Sequence, residues 1–255
     1  MSYMVVLTAD PANGLEDEAI FEACQALEDV GAPRRLSASA AEIPVASFQR
    51  VEAVGLAIDV NCVPVEGRRK KLLIADMDST MIPVECIDEV ADFAGVREQV
   101  VAITEPAMRG EISFEEALHA RVALLKGLGV DRLQEVYDQR VNLNPGARTL
   151  VRTMAAHGAY TALVSGGFTF FTERVAAAAG FHHNRANLLL SEDGLLTGVV
   201  QEPVLGRAAK VEALTTLSAG QNIDVAEALA VGDGANDLGM IEACLLYTSP
   251  SPRDS

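Results

Sequence analysis

Lys71-Leu72-Leu73-Ile74-Ala75-Asp76-Met77-Asp78-Ser79-Thr80 sets an apolar run directly ahead of two carboxylates spaced two apart. The run has the length and composition of a buried strand, so the acidic pair falls at its carboxyl end. In open parallel α/β sheets, ligands bind in the crevice outside the carboxyl ends of the strands. Two later stretches repeat the arrangement. Tyr160-Thr161-Ala162-Leu163-Val164 runs into Ser165-Gly166-Gly167, and Ala228-Leu229-Ala230-Val231 runs into Gly232-Asp233-Gly234-Ala235-Asn236-Asp237. Three strands thus deliver polar or glycine-rich ends, and one sheet edge can gather them all.

Outward from these strands, the interval 83–145 reads as helices throughout, a cap inserted after the first acidic motif. Ser113 with Glu116 is a capping box that opens a helix over 114–126, and Asp131 with Gln134 opens another. Asn144-Pro145 starts a further helix that Gly158 stops, with proline first and glycine last. Leu188-Leu189-Leu190, Asp193-Gly194 and Leu195-Leu196 read as a β-hairpin within 187–200. The sheet-forming core is therefore expected over 67–82 and 146–243. Ahead of it, residues 1–66 form a small α+β domain: a strand at 4–8, an amphipathic helix over 15–30 closed by Gly31, and strand-like pieces around 51–60. This small domain resembles amino-acid-binding regulatory domains, and that resemblance implies an alternative role in amino-acid sensing. The tail 244–255, rich in Ser and Pro, breaks the style of the chain and reads as non-native sequence.

Composition narrows the function. At 255 residues the chain is long enough for one large domain and an appendage. With 49% apolar and only 5% aromatic residues, aliphatic side chains must carry the burial. A net charge of -16 argues against binding a nucleic acid backbone, which demands clustered cations. The only basic run, Arg68-Arg69-Lys70-Lys71, precedes a strand and reads as a solvated linker. No apolar run reaches the roughly 18 residues of a membrane span, and the first residues lack a secretory pattern. Cys24, Cys62, Cys86 and Cys244 are spaced neither for zinc nor for a disulfide scaffold, so a reducing cytoplasm is expected.

Asp76 and Asp78 are too close to ionise comfortably together unless a cation binds or one of them holds a proton. Taken alone, Asp-x-Asp is weak evidence, since calcium loops and sugar transferases contain it too. Asp233 can complete an oxygen-rich magnesium site, and Asp237 can orient the waters of the metal or a lysine. Ser165 and the amides of the Ser-Gly-Gly turn suit a phosphate, helped by the start of a helix near Phe168. Lys210 in Arg207-Ala208-Ala209-Lys210-Val211 looks like an ordinary helix lysine until its order after the other motifs is considered.

In that order, Asp-Met-Asp-Ser-Thr, Ser-Gly-Gly, lysine and Gly-Asp-Gly-Ala-Asn-Asp resemble the haloacid dehalogenase superfamily of phosphohydrolases over roughly 70–243. Its fold would be a Rossmann-like parallel sheet with a helical cap, here lacking the last edge strand. The cap is similar to that of the phosphoserine phosphatase family: Glu85, Met108-Arg109-Gly110, Ser113-Phe114-Glu115-Glu116-Ala117-Leu118 and Arg121-Val122 stand at matching distances. The resemblance implies Asp76 as nucleophile and Asp78 as general acid and base. It implies Mg2+ held by Asp76, Asp78 (through its backbone carbonyl) and Asp233, with phosphate bound by Ser165, Gly166 and Lys210. Glu85 and Arg121 would match the ammonium and carboxylate of a small phosphorylated amino acid, with Met108, Phe114 and Asn236 nearby, and Arg109 a weaker candidate for the same contact. The reaction implied is hydrolysis of L-phosphoserine, the last step of serine biosynthesis, with neither nucleic acid nor membrane as a partner. Phosphohomoserine and phosphothreonine remain alternative substrates.

Overall fold

The computed structural model describes residues 2–50, 58–109 and 111–244. The strand pieces expected at 51–57 and the tail from 245 onward lie outside the described residues. The chain divides into two compact units, Met1–Arg69 and Lys70–Ser255.

In the first unit, β1 (Tyr3–Ala9), β2 (Arg34–Ser37), β3 (Ala40–Val45) and β4 (Ile58–Pro64) form an antiparallel sheet in the order β2-β3-β1-β4. Helix α1 (Asp17–Gln25) covers one face, burying Ala19, Ile20 and Ala23 against Val5, Leu7, Ile43 and Val45. The helix is shorter than the expected 15–30. Asp29 adopts a left-handed φ of 49°, and Val30 instead forms a bridge to Val45, so residues 26–30 turn the chain back to the sheet. Glu42 is buried beneath this sheet and paired with both Arg34 and Arg68.

The second unit is built on β5 (Leu72–Ala75), β6 (Tyr160–Phe168), β7 (His183–Asn187) and β10 (Ala228–Val231), all parallel, in the order β10-β5-β6-β7. Every residue of β5 is fully buried, as expected of a central strand covered on both faces. Between β5 and β6 stand α2 (Cys86–Phe93), α3 (Arg97–Met108), α4 (Phe114–Ala123), α5 (Val130–Arg140) and α6 (Ala147–Ala156). Leu118, Val122 and Leu125 of the cap share one apolar cluster with Ala75, Met77, Leu163, Phe168 and Phe171 of the core, so cap and sheet are packed as one body. Helix α7 (Thr169–Ala179) follows β6, then the hairpin β8 (Leu189–Glu192) and β9 (Leu195–Val200), and α8 (Arg207–Gly220). The hairpin turns at Asp193 and Gly194, both with positive φ, as a two-residue turn requires. Helix α9 (Leu238–Ala243) follows β10 and, with α8, buries Leu214 and Met240 against Leu72 and Ile74. Among the described residues no helix is long and apolar enough to cross a membrane.

Some local expectations shift. The capping box at Ser113 forms as read: its hydroxyl accepts from the Glu116 amide at 3.1 Å and its amide donates to the Glu116 carboxylate at 2.9 Å. Gln134 instead bonds Asp138 and Arg174, and α5 starts at Val130 after Gly129 with no side-chain cap. The helix read from Asn144-Pro145 begins three residues later, with Gly146 as its left-handed N-cap at φ 88°. Ser165-Gly166-Gly167 is not a turn but a continuation of β6, with its register against β7 broken between Val164 and Phe168, and α7 starts at Thr169.

Candidate active site

Asp76 leaves the carboxyl end of β5 and is held on both oxygens. Oδ1 accepts from the Met77 amide at 2.7 Å, and Oδ2 lies 2.7 Å from Nζ of Lys210. Lys210 is 1% exposed and its ammonium also donates to Asp237 Oδ1 at 2.6 Å. Burial alone would lower the pKa of this lysine, but the carboxylates of Asp76 and Asp237 outweigh it and raise it, so the ammonium stays charged. Far from being an exposed helix lysine, Lys210 is the buried electrostatic centre of the site.

Asp233 stands on the loop after β10, and ligand atoms of Asp76, Asp233 and Asp237 lie within 4.8 Å of one another. Three hard carboxylate oxygens at this separation suit a small oxygen-seeking cation such as Mg2+. Asp237, expected only to orient waters or a lysine, is itself part of the triad and fully buried. Close approach of the loop demands glycine: a Cβ at Gly232 would collide with the Asp237 carboxylate. Both acids precede α9, which begins only at Leu238 with Asp237 as its N-cap.

Asp78 lies two residues on, yet its carboxylate faces different partners. Oδ1 accepts from the Cys86 amide at 2.9 Å, and Oδ2 from the Ser165 hydroxyl at 3.2 Å. Burial pushes its pKa up to about 7, the Glu85 carboxylate adds to this, and the Cys86 donors oppose it. For Asp76 burial raises the pKa to about 6, with the Lys210 ammonium opposing. Ser165 in turn accepts from the Gly167 amide at 2.9 Å. Gly167 leaves room for the acid: a Cβ there would sit 2.6 Å from Asp78 Oδ2.

The cap contributes Glu85, Phe114 and Arg121. Glu85 is the N-cap residue of α2 and accepts from the Ser79 hydroxyl at 2.6 Å. Burial raises its pKa, with the Asp233 and Asp88 carboxylates adding to the shift and Arg121 opposing. Burial lowers the pKa of Arg121, with the Asp88 and Glu85 carboxylates opposing; its Nε donates back to the Ala117 carbonyl at 3.2 Å. The Phe114 ring rests over Gly166, whose added Cβ would lie 3.0 Å from its Cζ. Asn236 lies beside Gly234 in the Asp233 loop. Met108 is the last residue of α3, and its side chain lies outside the described residues. Arg109 is exposed and paired with Glu111 at 2.6 Å.

Sequence reading missed other contributors. Asn187 is 3% exposed, donates to the Gly166 carbonyl at 2.8 Å and accepts from the Leu205 amide at 2.6 Å, fixing the end of β6 to the segment ahead of α8. A polar residue inside the apolar run 186–190 was the available signal. Thr80 donates to Asp233 Oδ1 at 2.8 Å, which no spacing rule announces. His119 pairs with Glu202, His157 with the Thr153 carbonyl and His182 with Thr161, none of these partners belonging to the site.

Comparison with known proteins gives the family of the chain. A phosphoserine phosphatase from Polaromonas sp. is 46% identical over 192 residues, covering 73% of this chain and 81% of its own. Among solved structures, a HAD family hydrolase from Salmonella enterica serovar Typhi aligns with a TM-score of 0.81 at 27% identity, over 95% of this chain and 87% of that one. A substrate-bound phosphoserine phosphatase complex aligns with a TM-score of 0.64 at 37% identity, over 68% and 82%. The model of the haloacid dehalogenase-like hydrolases matches residues 73–242, which include Asp76, Asp78, Ser165, Lys210, Asp233 and Asp237, and the chain belongs to that family.

Proposed function

We propose that this chain hydrolyses L-phosphoserine to L-serine and phosphate, with Asp76 as nucleophile and Asp78 as general acid and then base. The observation that carries the reading is the split environment of the two carboxylates. Asp76 is held against a buried ammonium, which favours the ionised form a nucleophile needs. Among the described residues the Asp78 carboxylate pairs with no cation, and it neighbours Glu85, which favours the protonated form a general acid needs. Relatives named phosphoserine phosphatase, at 40% identity and above, support the substrate.

In the first step an Asp76 oxygen forms a bond to phosphorus while the bond from phosphorus to the seryl oxygen breaks. That oxygen takes the Asp78 proton and leaves as the serine hydroxyl. In the second step Asp78 takes a proton from water as the water oxygen bonds to phosphorus, and the Asp76 carboxylate is released. A positioned acid and base contributes about a hundredfold to ten-thousandfold. Ser165, the Gly166 amide and Lys210 bind the transferring oxygens, and Glu85 and Arg121 hold the amino-acid end. Mg2+ bound by Asp76, the Asp78 carbonyl and Asp233, with Asp237 beside it, would neutralise phosphate charge. Four free cysteines fit a cytoplasmic setting.

The test is phosphate release from L-phosphoserine and from an aryl phosphate, with Mg2+ and with chelator. Release should require the metal and vanish in Asp76→Asn, and Arg121→Ala should impair L-phosphoserine far more than the aryl ester. Metal-independent release, or turnover surviving Asp76→Asn, would defeat the mechanism; equal losses on both esters would defeat the substrate assignment.

A further inference from the structure

Asn144 sits where the chain returns from the cap to the core, and its side chain is not spent on helix capping, since α6 begins beyond it with Gly146 as N-cap. Its Nδ2 donates to the Thr80 carbonyl at 2.8 Å and its backbone amide donates to the Met81 carbonyl at 2.9 Å. Residues 80 and 81 are the last of the nucleophile loop before the chain leaves for the cap. Asn144 therefore ties the return of the insertion to its departure. On the same residue, the Thr80 hydroxyl donates to Asp233 Oδ1 at 2.8 Å.

We propose that Asn144 is a positioning residue for the cation site, acting through Thr80 to hold Asp233 in place. The inference rests on the reading of Asp76, Asp233 and Asp237 as the metal-binding group. Asp233 needs such a restraint: it is exposed, and it lies between two glycines on a loop. The inner rim of the nucleophile loop is already fixed, because the amides of Thr80, Met81 and Ile82 all converge on the Met77 carbonyl at 2.9 to 3.3 Å. The Thr80 carbonyl, which takes no part in those bonds, is held by Asn144. A carboxylate whose direction is set before the cation arrives loses less freedom on binding. The arrangement also places the attachment of the cap and the grip on the cation in one hydrogen-bonded path, Asn144 to Thr80 to Asp233.

The test is calorimetric titration of Mg2+ into the full chain, comparing the parent with Asn144→Ala, Thr80→Val, their double variant, Thr80→Ser and Asp233→Asn. Thr80→Val removes the hydroxyl but keeps the carbonyl that Asn144 grips, so it probes the path even where Asn144→Ala folds poorly. Each of these two variants should weaken Mg2+ binding about 2- to 10-fold, the scale of one hydrogen bond. The double variant should be no worse than the weaker single one, because both cut the same path. Thr80→Ser should bind like the parent. Parent-like Mg2+ affinity in Asn144→Ala beside weakened Thr80→Val, or losses that multiply in the double variant, would overturn the proposal. If Asp233→Asn binds Mg2+ as the parent does, the cation site itself has been misassigned, a different failure from that of the path.

Discussion

Lys210→Met is the sharpest perturbation the structure offers. The side chain is 1% exposed and its ammonium bridges Asp76 at 2.7 Å and Asp237 at 2.6 Å, both of them buried. Methionine keeps the length and removes the charge, leaving two buried carboxylates without their counter-ion, and Asp233 close by adds a third. Breaking a buried pair by removing one partner costs about 3–5 kcal/mol, since the remaining charge is stranded in a low dielectric. For a unit of this size each kcal/mol moves the melting temperature by about 2–4 °C. The metal-free variant should therefore melt about 6–20 °C below the parent. Added Mg2+ should recover more in the variant than it adds to the parent, because the cation takes over the neutralisation that the lysine supplied. Differential scanning calorimetry at pH 7.5 with chelator, and then with saturating Mg2+, reads both effects. A variant that melts with the parent under both conditions would refute the claim that Lys210 is the electrostatic keystone of the triad.

Gly167→Ala should abolish most phosphate release while leaving circular dichroism unchanged, because its Cβ would stand 2.6 Å from Asp78 Oδ2 and displace the acid; normal turnover would contradict the placement of Asp78. Ser113→Ala removes the hydroxyl half of the capping box and should cost about 1 kcal/mol by urea denaturation, and an unchanged midpoint would show the box to be unimportant. Glu42→Gln should lower the melting temperature at pH 7 and progressively less as the pH falls below the ordinary carboxylate range. Burial would raise the pKa of Glu42, but bonds from Arg34 and Arg68 lower it overall. A lowered folded-state pKa contributes stability above the unfolded value and loses it as pH falls through the folded one. A deficit for Glu42→Gln that does not shrink at all as the pH is lowered through the acid range would rule out ionisation as the source.

Much of the fold was legible because the decisive strands are short, apolar and bounded. Leu72–Ala75 and Ala228–Val231 end where the sequence places them, since buried parallel strands tolerate few polar residues and their polar ends are abrupt. The hairpin at Asp193-Gly194 was legible for a similar reason, two residues that accept positive φ. What failed was decided by contacts distant in sequence. Helix α1 stops at Gln25 although the apolar pattern continues, because Val30 is claimed by Val45 in the sheet. Asn144-Pro145-Gly146 has the look of a helix start, yet the asparagine is taken by Thr80, 64 residues earlier.

The candidate site divides in the same way, and the division has an electrostatic logic. Each acid was visible as a residue, but its role depends on what surrounds it. Asp76 and Asp78 are separated by one methionine, and only the fold places a lysine from α8 against the first and a second carboxylate, Glu85, beside the other. Lys210 looks ordinary in sequence because nothing local marks it as buried; it becomes central when β10 and α8 bring Asp237 to it. A chain with net charge -16 must reverse its field where a phosphate is to bind. It does so with one buried ammonium and a cluster of acids suited to a cation, so the acidity of the protein as a whole and an anionic substrate are compatible. Removing the lysine and removing the metal should therefore be partly interchangeable injuries. That equivalence is what the paired melts of Lys210→Met, with chelator and with Mg2+, are designed to expose.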